Sequence, residues 1–159
     1  TGLTAITMNG PVPSLATSAR MMARYGETLG AERLTFTDHS GLNDESAITP
    51  EDMVLILSAN TRARPLMKPV NLSLDKARPA TKDVAVLAKT GTLNFVSSLA
   101  GYVATPERSL TFAFLSADIT RREMLKPEER ERPPGAKGWS RRSRQLQKEL
   151  IRDWVARYA

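Results

Sequence analysis

The sequence predicts an α+β fold, in which covering helices pack on an antiparallel sheet. Three apolar, β-prone segments follow one another at residues 84–93, 95–104 and 110–117, and their short connections favour an antiparallel meander. Amphipathic helical patterns stand before and after these segments. A chain of 159 residues with 41% hydrophobic residues can bury one core, so we expect a single domain.

The first half of the chain contains two predicted helices. The first begins at the N-cap Ser14 and stops at Gly30, because these residue types favour those positions. A short strand through Leu34 and Phe36 follows. The second helix has Thr49 as its N-cap and Pro50 at its first helical position.

The remaining connections and the C-terminus are predicted from breakers and periodicity. Residues 61–83 contain several prolines and are expected to be irregular, with one helical turn. The last helix is expected from about Ser140. Its apolar residues repeat every four positions, with Ile151 and Val155 beside them, and predict one stripe that packs on a sheet face: Leu146, Leu150, Trp154 and Tyr158.

The positive charge of the chain lies in its last quarter. Residues 1–120 hold 11 Lys/Arg and 11 Asp/Glu, whereas residues 121–159 hold 12 and 6 and thus the whole net charge of +6. This pattern is typical of a solvated helix face. The alternative is a non-catalytic binding module whose basic tail, including RRSR at 141–144, engages nucleic acid or another anionic polymer. Acidic residues interrupt the tail and base-stacking aromatics are missing, so no nucleic acid is expected.

Several classes of function are disfavoured by what the sequence lacks. Without cysteine there is no disulfide framework, thiolate nucleophile or zinc-thiolate site. No apolar run is long enough for a membrane span, and no signal-peptide pattern opens the chain. The chain begins at Thr1 without a methionine, from which we expect a processed or truncated product.

A lysine inside the apolar segment AVLAKTGTLNFVSSLAGYV is the strongest functional signal. Lys89 ends one predicted strand and is followed by Thr90, Gly91 and Thr92. A lysine and a hydroxyl at a strand edge can hold a substrate carboxylate, and a glycine lets a ligand lie close to the backbone. Lys-Thr-Gly is one of three signatures of the serine enzymes that react with penicillin. A lysine that protects a sheet edge from aggregation is the alternative.

The wider sequence resembles a known family. The blocks DHSGLNDESAITPEDMVLIL, LMKPV, AKTGTLNFVSSLAGYV and LTFAFLSAD are similar, in order and spacing, to the C-terminal part of D-alanyl-D-alanine carboxypeptidase/endopeptidases of the penicillin-binding protein 4 type, peptidase family S13. The helix pattern SLATSARMMARYGETLG also resembles that family. The resemblance covers nearly the whole chain.

The resemblance implies a fold and a set of site residues. The fold would be the C-terminal portion of the penicillin-binding, serine β-lactamase-like transpeptidase fold. Lys89 would be catalytic, with Thr90, Gly91 and Thr92 in the same substrate-binding strand. A loop with Ser40, Gly41 and Leu42 would lie near the substrate pocket. His39 stands where many members have glycine and is assigned no role, and strands from an upstream part would complete the sheet.

The family mechanism needs an S-x-x-K nucleophile and an S-x-N motif, and the copies in this chain are poor candidates. Ser73 with Lys76 lies in an irregular, proline-flanked segment, and Ser58 with Asn60 precedes it, the reverse of the family order. The single histidine, His39, stands between Asp38 and Ser40, where consecutive side chains cannot form a catalytic triad.

The resemblance therefore implies a fragment of a serine-type carboxypeptidase. We expect it to act on peptidoglycan stem peptides through an acyl-enzyme, to be acylated by β-lactams, and to need no metal or cofactor. The nucleophilic serine would come from the upstream part of the same protein, so residues 1–159 alone would be inactive. The expected location is the periplasm.

Overall fold

The computed structural model describes residues 10, 14–39, 41, 43, 45–73, 83–129 and 131–158. The chain divides into two compact units, which we call the N-terminal unit (Thr1–Asn60) and the sheet unit (Thr61–Ala159), and each is described by itself. The helices are α1 (Leu15–Thr28), α2 (Pro50–Ala59), α3 (Ile119–Glu123) and α4 (Ala136–Tyr158). The strands are β1 (Leu34–Thr35), β2 (Ala47–Ile48), β3 (Lys68–Pro69), β4 (Ala85–Leu93), β5 (Val96–Ala104) and β6 (Ser109–Ala117). Short 3₁₀ helices span Thr61–Leu66 and Pro127–Glu129.

Both predicted helix caps of the N-terminal unit are confirmed. The Ser14 hydroxyl accepts a hydrogen bond from the Thr17 amide at 3.1 Å, and the Thr49 hydroxyl accepts one from the Asp52 amide at 3.1 Å. These bonds satisfy amides that the first turn of a helix otherwise leaves without partners. The predicted strand after α1 is present as β1, but it ends at Thr35 and does not include Phe36. It pairs with β2 in a two-residue antiparallel ladder.

A buried carboxylate joins α2 to the chain that precedes β1. Asp52 is 4% exposed, and its oxygens accept hydrogen bonds from the Thr49 hydroxyl at 2.8 Å and from the Arg33 amide at 3.0 Å. The bond from Thr49 is the largest of the effects that lower the pKa of Asp52 below its ordinary value. Asp52 is therefore ionised in the folded protein at neutral pH.

The sheet unit is built on a four-stranded antiparallel sheet in the order β3-β4-β5-β6. The predicted meander is confirmed, with boundaries that differ from the expected ones by one residue. Strand β3 was not predicted; it pairs Lys68 with Ala88 and Pro69 with Leu87. Strand β6 lies at the opposite edge, where, among the described residues, it has no second strand partner.

The core of the sheet unit lies between one sheet face and α4. Cα partners in an antiparallel ladder project their side chains to the same face, so the pairs Val86–Val103 and Ala88–Gly101 face the helix together. The buried cluster on this face comprises Leu72, Val86, Ala88, Leu99, Val103, Phe112 and Ile151, with Trp154 and Val155 packed against it. Helix α4 therefore stabilises the strand that carries Lys89.

The predicted start and apolar stripe of α4 are partly wrong. The helix begins at Ala136 instead of Ser140, and Leu146 and Tyr158 are exposed, at 46% and 57%. A step of four residues rotates by about 40° around an α-helix, so a strict four-residue repeat drifts off one face. The buried residues follow the correct period and are mostly small or polar: Ala136, Ser140, Ser143, Gln147 and Ile151.

A polar contact explains why α4 turns this face to the sheet. Gln147 is 4% exposed, and its side-chain amide donates a hydrogen bond to the buried hydroxyl of Ser97 in β5, at 3.0 Å. Both polar groups satisfy each other, so neither pays the cost of being buried alone. Further along α4, Ile151 and Trp154 pack against the apolar side chains of the sheet.

The β4–β5 turn is clamped by two helices. Phe95 has a positive φ of 57°, which is uncommon for a bulky residue and persists only where the surroundings fix it. Its ring is buried and packs edge-on against Trp139 of α4, with centroids 6.3 Å apart. The Arg121 guanidinium of α3 lies over the same ring at 5.9 Å. The turn therefore holds the far end of β4 next to the start of α4.

Candidate active site

The predicted substrate-binding residues lie along the second half of β4. Lys89 pairs with Ala100, and Gly91 pairs with Ser98, so Lys89 and Gly91 share the sheet face opposite to α4. Thr90 and Thr92 project to the α4 face. A ligand can contact both sets only at the strand edge, where the two faces meet.

Lys89 is exposed although its strand is part of the core. Its neighbour Ala88 is 2% exposed and faces α4. The Lys89 ammonium extends from the other face and donates a hydrogen bond to the backbone carbonyl of Thr90. The lysine thus keeps its charge accessible at the point where the signature segment begins.

Gly91 leaves room for the side chain of Ser98. A Cβ atom at position 91 would lie 2.3 Å from Ser98 Oγ, which donates a weak hydrogen bond to the Gly91 carbonyl at 3.4 Å. A side chain at this position would displace the Ser98 hydroxyl and cover the backbone. Because position 91 is a glycine, no side chain covers the strand backbone beside Lys89.

The outer edge of β4 is open beside the signature segment. Strand β3 pairs with only Leu87 and Ala88, so residues 89–93 have no strand partner on this side within the described part of the chain. An unpaired strand edge presents backbone N–H and C=O groups to which an extended peptide can add as a further strand.

The predicted 40–42 loop is described only in part. Ser40 and Leu42 lie outside the described residues. Gly41 has a positive φ of 74°, and its amide donates a hydrogen bond to the Asp38 carboxylate at 3.1 Å. The loop belongs to the N-terminal unit and Lys89 to the sheet unit, so the two parts of the predicted site are described separately.

The two alternative motifs have structural explanations. Asn60 ends α2, where its side chain donates to the Ile56 carbonyl at 2.8 Å and accepts from the Tyr25 hydroxyl at 2.6 Å. Ser73 is not helical; its amide donates to the Asn71 side chain at 2.8 Å. Lys76 lies outside the described residues. Ser73 therefore does not lie on the rigid helical turn that a nucleophile with a lysine base requires, whereas Ser58 of the other motif lies in the last turn of α2.

The described residues contain no cluster of three or more histidine, aspartate or glutamate side chains that could hold a metal ion. No helix in the described part of the chain combines the length and the apolar character needed to cross a membrane.

A cationic cleft was not predicted from the sequence, which identified Arg141 and Arg144 only as part of a basic tail. A cleft of about 1050 Å³ lies between the end of β4 and the start of α4, and several arginines and a lysine line it. The cationic spacing Lys137, Arg141, Arg144 places these residues on one helix face and is a signal that the sequence contains.

The comparisons with known proteins agree with this architecture. A search of curated proteins finds no match. The crystal structure of a β-lactamase from Sphaerobacter thermophilus matches with a TM-score of 0.51 at 16% identity, covering 94% of this chain and 57% of that one. The likeness shows a β-lactamase-like fold, and the chain spans little more than half of the matched protein's length.

The sequence family is shown more directly. A family model described as Peptidase_S13, D-Ala-D-Ala carboxypeptidase 3 (S13) family, matches residues 14–133, which include the helices of the N-terminal unit and every strand of both units. Helix α4 follows the matched region and nevertheless packs on the same core. The chain belongs to the D-Ala-D-Ala carboxypeptidase S13 family.

Proposed function

We propose that this chain supplies the carboxylate-binding strand of a serine-type D-Ala-D-Ala carboxypeptidase that acts on peptidoglycan stem peptides. One observation carries the proposal: in a chain of this family, the signature lysine is exposed on a strand edge that no described strand covers. A lysine that only prevented aggregation at the sheet edge would not need a glycine nearby that leaves the strand backbone uncovered. An open edge with a cation and hydroxyls is what an extended peptide with a terminal carboxylate requires.

The stem peptide would add to β4 as an antiparallel strand. Its C-terminal carboxylate would then lie near Lys89 and Thr90, and its earlier residues would extend toward Thr92 and Asn94. The Lys89 ammonium, which donates to the Thr90 carbonyl in the free chain, would turn to the carboxylate. The hydroxyl groups of Thr90 and Thr92 would donate at the same edge, and Gly91 would allow the peptide backbone to come close.

The covalent chemistry would use a serine from the upstream part of the same protein. Its Oγ would attack the carbonyl carbon of the penultimate D-alanine, the peptide C–N bond would break, and the terminal D-alanine would leave with a proton on its amine. Water would hydrolyse the ester and restore the serine. Endopeptidase activity on cross-linked stem peptides would follow the same steps. Lys89 would assist by stabilising negative charge and by moving protons at this edge.

This assignment makes the chain a part of one penicillin-binding catalytic domain. The only S-x-x-K sequence in the chain is the one at Ser73, whose serine lies in a non-helical turn. The chain alone is therefore expected to be inactive. Because the substrate polymer lies outside the cytoplasm, the whole protein would work in the periplasm.

Labelling with a fluorescent penicillin tests the proposal. We would compare the 159-residue chain with a form extended upstream to the start of its gene. The proposal predicts a covalent label on the extended form alone. A label on the short chain would show that Ser73 or another local serine reacts, and an unlabelled extended form that folds would contradict the proposed function.

A further inference from the structure

The cleft beside the end of β4 is a second concave surface, which meets the edge that carries Lys89 at Thr92. One wall is the strand end and turn, Thr92 to Asn94, and the other is formed by residues 131–135 and the first three turns of α4. Its volume of about 1050 Å³ is at the upper end of the range of small-molecule sites. The clamped turn at Phe95 fixes the two walls to each other.

The cleft is cationic, and its basic side chains form no ion pair within the described part of the chain. Four basic residues line it, together with one acidic residue, Glu131. The basic residues are Arg132, Lys137, Arg141 and Arg144. Elsewhere in the described chain, Arg121 and Arg157 form ion pairs with Asp118 and Asp153, but none of these four lies within ion-pair distance of a described carboxylate.

The local backbone adds to the positive potential. Helix α4 has no acidic residue in its first turn, and it starts after Gly135, at a φ of 80°, which offers no side-chain acceptor. The Arg144 guanidinium is held against the helix by a hydrogen bond from Nε to the Ser140 carbonyl at 3.3 Å. Four positive charges that converge on a surface with a single acidic residue repel one another, and a bound anion lowers that cost.

A solvated helix face is the competing explanation, and two features argue against it. Solvated faces intersperse acids among bases, as α4 does further on, where Asp153 pairs with Arg157 at 3.1 Å. The cleft, in contrast, gathers its cations around a concave surface that ends at Thr92. Thr92 belongs to the proposed substrate strand, so the two surfaces are continuous along β4.

The distance along the strand indicates what the cleft would take. A strand rises about 3.4 Å per residue, so Thr92, where the cleft begins, lies roughly 10 Å along β4 from Lys89. An extended peptide covers that distance in about three residues. A stem peptide whose terminal carboxylate lies at Lys89 would therefore bring its upstream part to the cleft. Stem peptides carry a further carboxylate there, on the γ-linked D-glutamyl residue.

From this placement we propose that the cleft binds the upstream carboxylate of the stem peptide and so selects acidic over amidated substrates. The inference rests on the proposed function, because it takes the direction of the peptide from it. Arg141 and Arg144 would contact the carboxylate, since guanidinium groups match carboxylate geometry. Lys137 and Arg132 would add longer-range attraction.

Titration of the chain followed by NMR tests the inference. The probes are the pentapeptide L-Ala-γ-D-Glu-L-Lys-D-Ala-D-Ala and the same peptide with its glutamyl carboxylate amidated. We expect the acid form to bind about tenfold more tightly, as two exposed charge contacts allow, with shifts at Thr92–Asn94 and in the first turns of α4. The double variant Arg141→Gln/Arg144→Gln should abolish the preference, and Arg157→Gln, at the other end of α4, should keep it.

Further arms separate the inference from the proposed function. The acidic tripeptide without D-Ala-D-Ala should keep the acid-over-amide preference even if the chain turns out not to recognise the D-Ala-D-Ala end. Equal binding of acid and amide forms, or equal effects of the double variant and Arg157→Gln, would overturn the inference. A short DNA duplex that binds more tightly than the acid peptide and is released steeply by salt would also overturn it, in favour of a polyanion-binding module.

Discussion

Replacement of Gly101 by alanine should separate β4 from β5. Gly101 pairs with Ala88 in β4, and a Cβ atom at position 101 would lie 2.1 Å from the Leu87 carbonyl oxygen and 2.6 Å from the Ala88 Cα. These are backbone atoms, so no rotamer change can relieve the clash. Overpacking usually costs about 1–3 kcal/mol, and because the strand itself must move, we expect a loss of about 3 kcal/mol.

Urea denaturation followed by tryptophan fluorescence measures this loss of stability in the sheet unit. Both tryptophans of the chain, Trp139 and Trp154, lie on α4. The matched control is Gly138→Ala, whose added Cβ would meet the Arg142 side chain at an ordinary 3.6 Å and should be neutral or stabilise the helix by up to about 1 kcal/mol. If Gly101→Ala changes the free energy of unfolding by less than about 0.5 kcal/mol, the inferred closeness of the strands is wrong.

Two further variants test the buried polar contacts. Gln147→Ala should lower the free energy of unfolding by about 1–3 kcal/mol, because it leaves the Ser97 hydroxyl buried without its partner at 3.0 Å; in a double-mutant cycle, simple additivity with Ser97→Ala would contradict the coupling. Asp52→Asn should lower the free energy of unfolding at neutral pH. The variant should also lose less of that free energy than the unmodified protein when the pH is lowered. Because the folded pKa of Asp52 lies below the ordinary 3.8, its contribution is present above about pH 4 and is lost as pH falls through the folded pKa. If acid unfolding followed by circular dichroism is the same for Asp52→Asn and the unmodified protein, ionised Asp52 does not stabilise the fold.

The meander was predictable because its strands are apolar, β-prone and closely connected. Strand β3 was not, since two residues that include a proline carry no pattern and form a strand only by pairing with Ala88 and Leu87. The caps at Ser14 and Thr49 were predictable because they depend on local chemistry. Tertiary contacts explain the errors in α4: the Gln147–Ser97 hydrogen bond decides which face is buried.

For the candidate site too, features that depend on neighbouring residues in the sequence could be predicted, and features that depend on tertiary contacts could not. The exposure of Lys89 and the role of Gly91 could be anticipated from a charged residue and a glycine within an apolar strand. The cationic cleft could not, although Arg141 and Arg144 are visible in the sequence. It depends on where α4 begins and on how the turn at Phe95 holds that start beside β4, and neither is encoded in a short motif.

The most direct test of the central claim is the rate of acylation by penicillin in the upstream-extended protein, measured for Lys89→Ala against Lys68→Ala. Lys68 is an exposed lysine on the neighbouring strand β3 and is the matched control. Loss of a charge-assisted bond to the ligand carboxylate should lower the second-order rate constant for Lys89→Ala by about 10- to 100-fold, while Lys68→Ala stays within about twofold. Equal rates for the two variants would contradict the claim that Lys89 holds the substrate carboxylate.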